Sequence, residues 1–422
     1  MAYSALRPVY RLYDDKQRAF LTAVRPKLHW QATNGLLNLK ITGTTCDRLA
    51  VAVSARSAGN ATGAQRRLCV AVKDLYRVKG LKTSLNNLSY YDTSDEAALS
   101  AAVVESLVRD GAIVLGLTKL SSMIAREEPM DASPVGSSSG PAVAVASYPW
   151  LDCVLGSDTS GSGRRLAMVN EVWQFRPSHD LVDSDGMVTT YPRFNPPCVF
   201  SRELGYLDRT SYTVNSSYEI VFLEEYLPVS NPDQMALING FIEDMLAHLP
   251  ATLTKISVRD AWENTHPTEL PESVDEYLRD VTTQIYYYAF YHSTDSFRKD
   301  YAASHNGEPP YVIPFLRHRW EKGAAVTTAQ HDNATKKKSA LDELFLSPIL
   351  EALDIVVPIG DVPYESTITQ KIEYLPVVAN VVGAPGTDFQ LLRTISQVMK
   401  LSERPPSVAV GSRMFPLFLH NS

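Results

Sequence analysis

Two rhythms of apolar and polar residues alternate along the chain. Short apolar runs rich in β-branched residues and bounded by turn residues predict buried strands. They fall at RRLCVAVK (66–73), AIVLG (112–116), DCVLGSD (152–158), YEIVFLE (218–224), TKISV (254–258), DIVVPIG (354–360) and LPVVANVVG (375–383). Longer stretches with helical spacing predict helices at 232–248, 272–303, 339–350 and 387–400, and residues 15–25 also read as helical. SDEAALSAAVVESLVRDG (94–111) opens on an N-cap candidate, Ser94, and stops at Gly111, so a helix is expected there. GPAVAVAS (140–147) is small and apolar on all faces. That suits a strand, although Pro141 suits the first turn of a buried helix. Strand and helix alternate over most of the chain, which argues an α/β layered fold. No linker cuts the pattern, so one domain over 1–422 is expected.

Composition narrows the function classes. The 422 residues carry a formal net charge of −7, whereas a nucleic-acid binder usually has a basic surplus. Nucleic acid is therefore not expected as a partner. The run Lys336-Lys337-Lys338 reads as a solvated helix face. Cys46, Cys69, Cys153 and Cys198 lie far apart, and the nine histidines form no H-x-x-H. No metal site and no cofactor are expected, and the buried cysteines should be reduced thiols. The N-terminal residues carry charges where a signal peptide needs an apolar run. No window is long and apolar enough for a membrane span. The expectation is a cytoplasmic protein, with a homodimer left open.

The chemistry concentrates in two loops and one lysine. Gly136-Ser137-Ser138-Ser139-Gly140 matches G-x-S-x-G, the nucleophile elbow of α/β-hydrolases. An elbow needs a strand feeding it, and the preceding AREEPMDAS (125–133) is polar and contains proline, so this reading is disfavoured. GSDTSGSGRR (156–165) is not a P-loop, because Ser162 stands where a lysine must follow the second glycine. Such a loop after a strand can instead turn successive backbone N–H groups into one hollow. An acyl-transfer enzyme needs that hollow for its oxyanion. Lys73 ends a buried strand. Burial disfavours its charged form, and a neutral lysine can serve as the base of a serine hydrolase.

Together, VAVKDLYRVKG, SPVGSSSGPAVAVA and GSDTSGSGRRLAMVNEVWQFRPS resemble the amidase signature family, in its order and spacing. DGAIVLGLTKL (110–120) fits between the first two, and the resemblance is best over a core of roughly 65–200. It implies an amidase-signature fold, with a mixed central β-sheet flanked by α-helices on both sides. It implies Ser162 as nucleophile, Ser137 as bridging serine after a cis peptide from Gly136, and Lys73 as base. The backbone amides of Thr159, Ser160, Gly161 and Ser162 would form the oxyanion hole. Ser138, Asp158 and Arg164 would support the loop. The implied activity is that of a serine amidase cleaving a small-molecule amide or ester through an acyl-enzyme. Two alternatives share the fold: a biosynthetic acyltransferase or amide synthase, and a non-catalytic binding or assembly subunit.

The sequence also departs from the family pattern. Val135 and Pro141 replace small residues, Gly163 an aliphatic one, Leu166 a proline, and Glu171 and Gln174 glycines. All border the loops, so cleft shape is where a difference is expected. The aromatic run YYYAFY (286–291) reads as core packing, with Tyr287 or Tyr291 as candidates to line an acyl pocket. His179 and Asp180 read as a polar turn.

Overall fold

The structure, a computed structural model, describes residues 9–26, 36–39, 41–43, 48–54, 68–125, 136–191, 196–207, 218–341 and 353–410. Its strands in chain order are β1 (Tyr10–Asp14), β2 (Phe20–Pro26), β3 (Leu36–Leu39), β4 (Ala50–Ser54), β5 (Cys69–Lys73), β6 (Ile113–Thr118) and β7 (Cys153–Ser157). They continue with β8 (Trp173–Arg176), β9 (Pro197–Ser201), β10 (Tyr218–Leu223), β11 (Ala251–Ile256), β12 (Leu353–Glu365) and β13 (Ile372–Gly383). Nine of them form one sheet in the order β13-β12-β8-β9-β7-β5-β6-β2-β3. β5 runs parallel to β6 and β7, while the other pairings in this sheet are antiparallel. The sheet is thus mixed, as expected.

Every residue of β5, β6 and β7 is buried, because helices cover both faces of the parallel centre. Side chains alternate across a strand. Ala71 packs with Leu115, Val154 and the helix Ser139–Ser147. Val72 packs on the opposite face with Leu117, Leu155, Phe290 and Leu316. Lys73, two positions beyond Ala71, therefore emerges on the side of the helix Ser139–Ser147. That helix settles the open reading of 140–147. Its small residues are needed because a side chain at Gly140 would sit 2.5 Å from the backbone of Lys119. Pro141 lies in its first turn, where an N–H has no intrahelical partner.

Some expectations are corrected by long-range contacts. Residues 15–25 are not helical. The Asp15 carboxylate accepts the amides of Ala19 and Phe20 at 2.9 Å, and the chain then enters β2, which pairs with β6 and β3. Ser94 is a C-cap, not an N-cap: it ends the helix Leu88–Thr93, and the next helix is only Ala102–Arg109. Between them Ala97 and Ala101 donate their amides to Leu81 and Arg77, so that backbone is committed elsewhere. The stretch 272–303 is broken into Val274–Leu278, Val281–Ser293 and Asp295–Ser304. The helix expected at 339–350 is the end of Thr328–Leu341, and 342–350 lie outside the described residues. The helices at 232–248 and 388–401 fall where the pattern put them.

Candidate active site

Lys73 is wholly buried at the end of β5. Its Nζ donates to Ser137 Oγ at 2.7 Å, Ser138 Oγ at 2.8 Å and Ser157 Oγ at 2.9 Å. Ser137 and Ser138 immediately precede the helix Ser139–Ser147, and Ser157 ends β7, beside β5. Burial lowers the lysine from 10.5 to about 7, opposed by negative charge at Cys198 and Asp158. Burial also pushes the Cys198 thiol well up, so it stays neutral, and Asp158 is the counter-charge that operates. Asp74 does not cancel the effect. It is buried separately, accepts from the Ser84 amide at 3.0 Å and from the Ser84 hydroxyl, and is itself raised to about 6 by burial.

Asp158 organises the second loop. One carboxylate oxygen accepts the Gly161 amide at 2.7 Å; the other accepts Gly163 N at 3.0 Å and Arg164 N at 2.8 Å. The Arg164 guanidinium closes on both oxygens at 3.1 Å. Burial alone would raise this acid, but Arg164, aided by Arg176, holds it well below the usual carboxylate range. The charge is therefore permanent, and the loop is tied to it by backbone as well as side chain. Gly161 has φ of 106°, a left-handed conformation that costs glycine little. Ser162 is 8% exposed in the same loop, and its carbonyl accepts the Ser138 amide at 3.3 Å. The two serine loops are thus directly joined.

Three details differ from the sequence reading. The Gly136–Ser137 peptide is trans; the cis bond among the described residues is Leu227–Pro228. The cis form of a non-proline bond costs about 3–4 kcal/mol, and Ser137 reaches Lys73 without it. The Gly161 N–H already serves Asp158, so of the four amides expected in an oxyanion hole this one is engaged. The Ser162 hydroxyl makes no hydrogen bond to Ser137, though all three residues of the expected relay are buried in one place. Catalytic hydrogen bonds in unliganded enzymes are often formed only with substrate present. Ser157 was missed, because a serine inside a buried strand reads as packing. The signal was its place two positions beyond Leu155, the residue that pairs with Val72 in the parallel β5–β7 ladder.

The departures from the family pattern become intelligible. A Cβ on Gly163 would stand 2.8 Å from Cys198 Sγ and 3.1 Å from the Asp158 side chain. The thiol occupies the space an aliphatic side chain would need. Gly163→Ala should therefore cost roughly 1–3 kcal/mol by overpacking, and Cys198→Ala in the same chain should recover part of it. Chemical unfolding of the single and double variants checks this, and equal losses in both backgrounds would remove Cys198 from the explanation. Leu166 similarly fills the space over Gly136, 2.2 Å from where a Cβ would be. Glu171 caps the helix Arg164–Asn170 at φ 48°, a conformation natural to the glycine it replaces. Burial, then Asp361, raises its carboxyl to about 9. Gln174 is buried in β8. Val135 and Cys46 lie outside the described residues. Tyr291 packs against the core on the Val72 face, under the Arg298 guanidinium. Among the described residues no three His, Cys, Asp or Glu side chains are grouped as for a metal ion. Among them, too, no helix is long and apolar enough to cross a membrane.

Residues 29–204 match the family model described as Amidase. Amidase 1 of Arabidopsis thaliana is 33% identical over 172 residues, which cover 38% of this chain and 40% of that protein. Amidase 1 of Oryza sativa subsp. japonica is 34% identical over 157 residues, covering 34% of this chain and 36% of its own. The matches thus span about two fifths of these relatives' length. Kluyveromyces lactis allophanate hydrolase superposes with a TM-score of 0.61 at 17% identity, over 83% of this chain and 65% of that one. The fold is the one seen in that hydrolase, and over residues 29–204 the chain is similar to the amidase family.

Proposed function

We propose that the chain is a serine amidase acting on a small-molecule amide or ester, with 1–422 as a single amidase-signature domain. Ser162 is the nucleophile, Ser137 the relay and Lys73 the base. The observation that carries this reading is a fully buried lysine near pKa 7 held among three serine hydroxyls. An ammonium has three N–H donors for three hydroxyls; a neutral amine has two and a lone pair. Ser138 donates its own proton to the Ser157 carbonyl at 3.0 Å, so toward Lys73 it can only accept. The lone pair must then face Ser137 or Ser157, and Ser137 is the nearer and sits in the loop joined to Ser162.

In the proposed cycle Lys73 takes a proton from Ser137 as Ser137 takes one from Ser162. The Ser162 oxygen attacks the carbonyl carbon. Amides of Thr159, Ser160 and Ser162 face the oxyanion, while Gly161 holds the loop to Asp158. The relayed proton leaves with the amine, and water cleaves the acyl-enzyme. The test is intact-mass analysis after a serine-directed fluorophosphonate. A single adduct mapping to the Ser162 peptide is expected, and an adduct on Ser138, or none, would overturn the reading.

Ser157 is a positioning residue in this scheme. Ser157→Ala removes one acceptor, which destabilises the charged amine and lowers its pKa further. The rate should fall by about tenfold, as for loss of one hydrogen bond to a charged group. The acid limb of the pH profile should move to lower pH. A rate loss with an unmoved limb would mean that Ser157 acts only through packing.

A further inference from the structure

We propose that Arg319 forms a binding site for a carboxylate carried on an aromatic or other apolar body, independent of the serine loops. Arg319 lies in the helix Pro314–Ala325 and is 6% exposed. Its guanidinium carbon sits 4.9 Å from the ring centre of Tyr286, 6.0 Å from Tyr287, 5.8 Å from Phe290 and 4.6 Å from Phe315. Nη1 donates to the Tyr286 hydroxyl at 3.0 Å. Nε is buried and donates to nothing, and no carboxylate pairs with this side chain among the described residues.

Three other buried or half-buried arginines have acids. Arg164 holds Asp158, Arg176 holds Asp354 and Arg404 holds Asp244. A buried charge without a counter-ion is unfavourable, and attraction to aromatic faces offsets only part of that. The unmet capacity lies along the Nε–Nη2 edge, since Tyr286 takes Nη1. That edge presents two parallel N–H donors, the geometry that two carboxylate oxygens accept side-on. A neutral amide offers one acceptor oxygen and fits it poorly. The ring walls favour an apolar body behind the carboxylate, and Phe315, 40% exposed, brings the cage to the surface. The two helices that carry the cage are in close contact. A Cβ on Gly323 would lie 2.3 Å from the Tyr287 carbonyl.

The test uses benzoate and its neutral isostere benzamide, with affinity read by isothermal titration calorimetry. Benzoate should bind the wild-type chain at least about tenfold more tightly than benzamide does, and Arg319→Gln should remove at least that factor. No benzoate binding, equal binding of the two ligands, or unchanged binding by Arg319→Gln would each overturn the proposal. Because that variant could fail to fold, a second measurement uses the wild-type chain. Phenylglyoxal modification is mapped by mass spectrometry with and without benzoate. Benzoate, but not benzamide, should shield Arg319. Equal labelling in both, or an Arg319 that never reacts, would count against the site. Neither measurement requires amidase activity, so the outcome is separable from the fate of the serine relay.

Discussion

Ser162→Ala is expected to lower kcat/KM by at least about 10⁴-fold, the scale of loss when the nucleophile of a serine hydrolase is removed. The fold should be unchanged. Ser162 is nearly buried, but the loop is held through its backbone. Gly161, Gly163 and Arg164 donate amides to Asp158, and the Ser162 carbonyl accepts from Ser138. None of these contacts uses the Ser162 hydroxyl. Ser138→Ala should retain measurable activity, because Lys73 keeps Ser137 and Ser157. Steady-state kinetics on a chromogenic aryl amide, with melting temperatures recorded beside them, separates loss of chemistry from loss of structure. The reverse ranking, with Ser138 essential and Ser162 dispensable, would return the nucleophile to the G-x-S-x-G segment.

Lys73→Arg and Lys73→Met should each lower the acylation rate by about 10²–10⁴-fold, the usual contribution of a positioned base. Arginine keeps the charge and the donors but cannot lose its proton near neutrality. Methionine fills the volume without either. In the wild type, acylation should rise through about pH 7 as Lys73 becomes neutral, and both variants should lose that rise. Stability should follow the same group. The folded-state value lies below that of the unfolded chain, so between about 7 and 10.5 the unfolded chain binds more protons. Stability from this group therefore grows as pH rises through that window and is absent below it. Lys73→Met should flatten that dependence in urea unfolding across pH. A Lys73→Arg chain that labels at the wild-type rate with the wild-type pH profile would make Lys73 a structural cation.

The signature segments were legible because their chemistry is local. A lysine ending an apolar strand, and glycine-spaced serines after another, keep their meaning wherever the sheet is built. The strands β5, β6 and β7 were legible for a related reason: burial on both faces demands continuous apolar runs. Boundaries were less so. Residues 94–101 have helical composition, yet the amides of Ala97 and Ala101 are taken by the 77–81 segment. Residues 20–26 carry no clear strand alternation and were drawn into the sheet by pairing with β6.

By itself the sequence determined that a lysine ends a buried strand of an α/β pattern, since apolar patterning fixes which side chains are buried. Its resemblance to the amidase signature family tied that lysine to the two serine loops. Only the tertiary structure decided which hydroxyls the lysine meets. Ser157 joins Ser137 and Ser138 because β7 lies parallel to β5 in a register that places both strand ends together. It also decided that Gly163 must be glycine, since Cys198, 35 positions further along the chain, supplies the thiol that fills its space. Arg319 and its aromatic walls meet for the same reason: contacts between distant segments depend on how helices and strands are stacked, which no local pattern encodes.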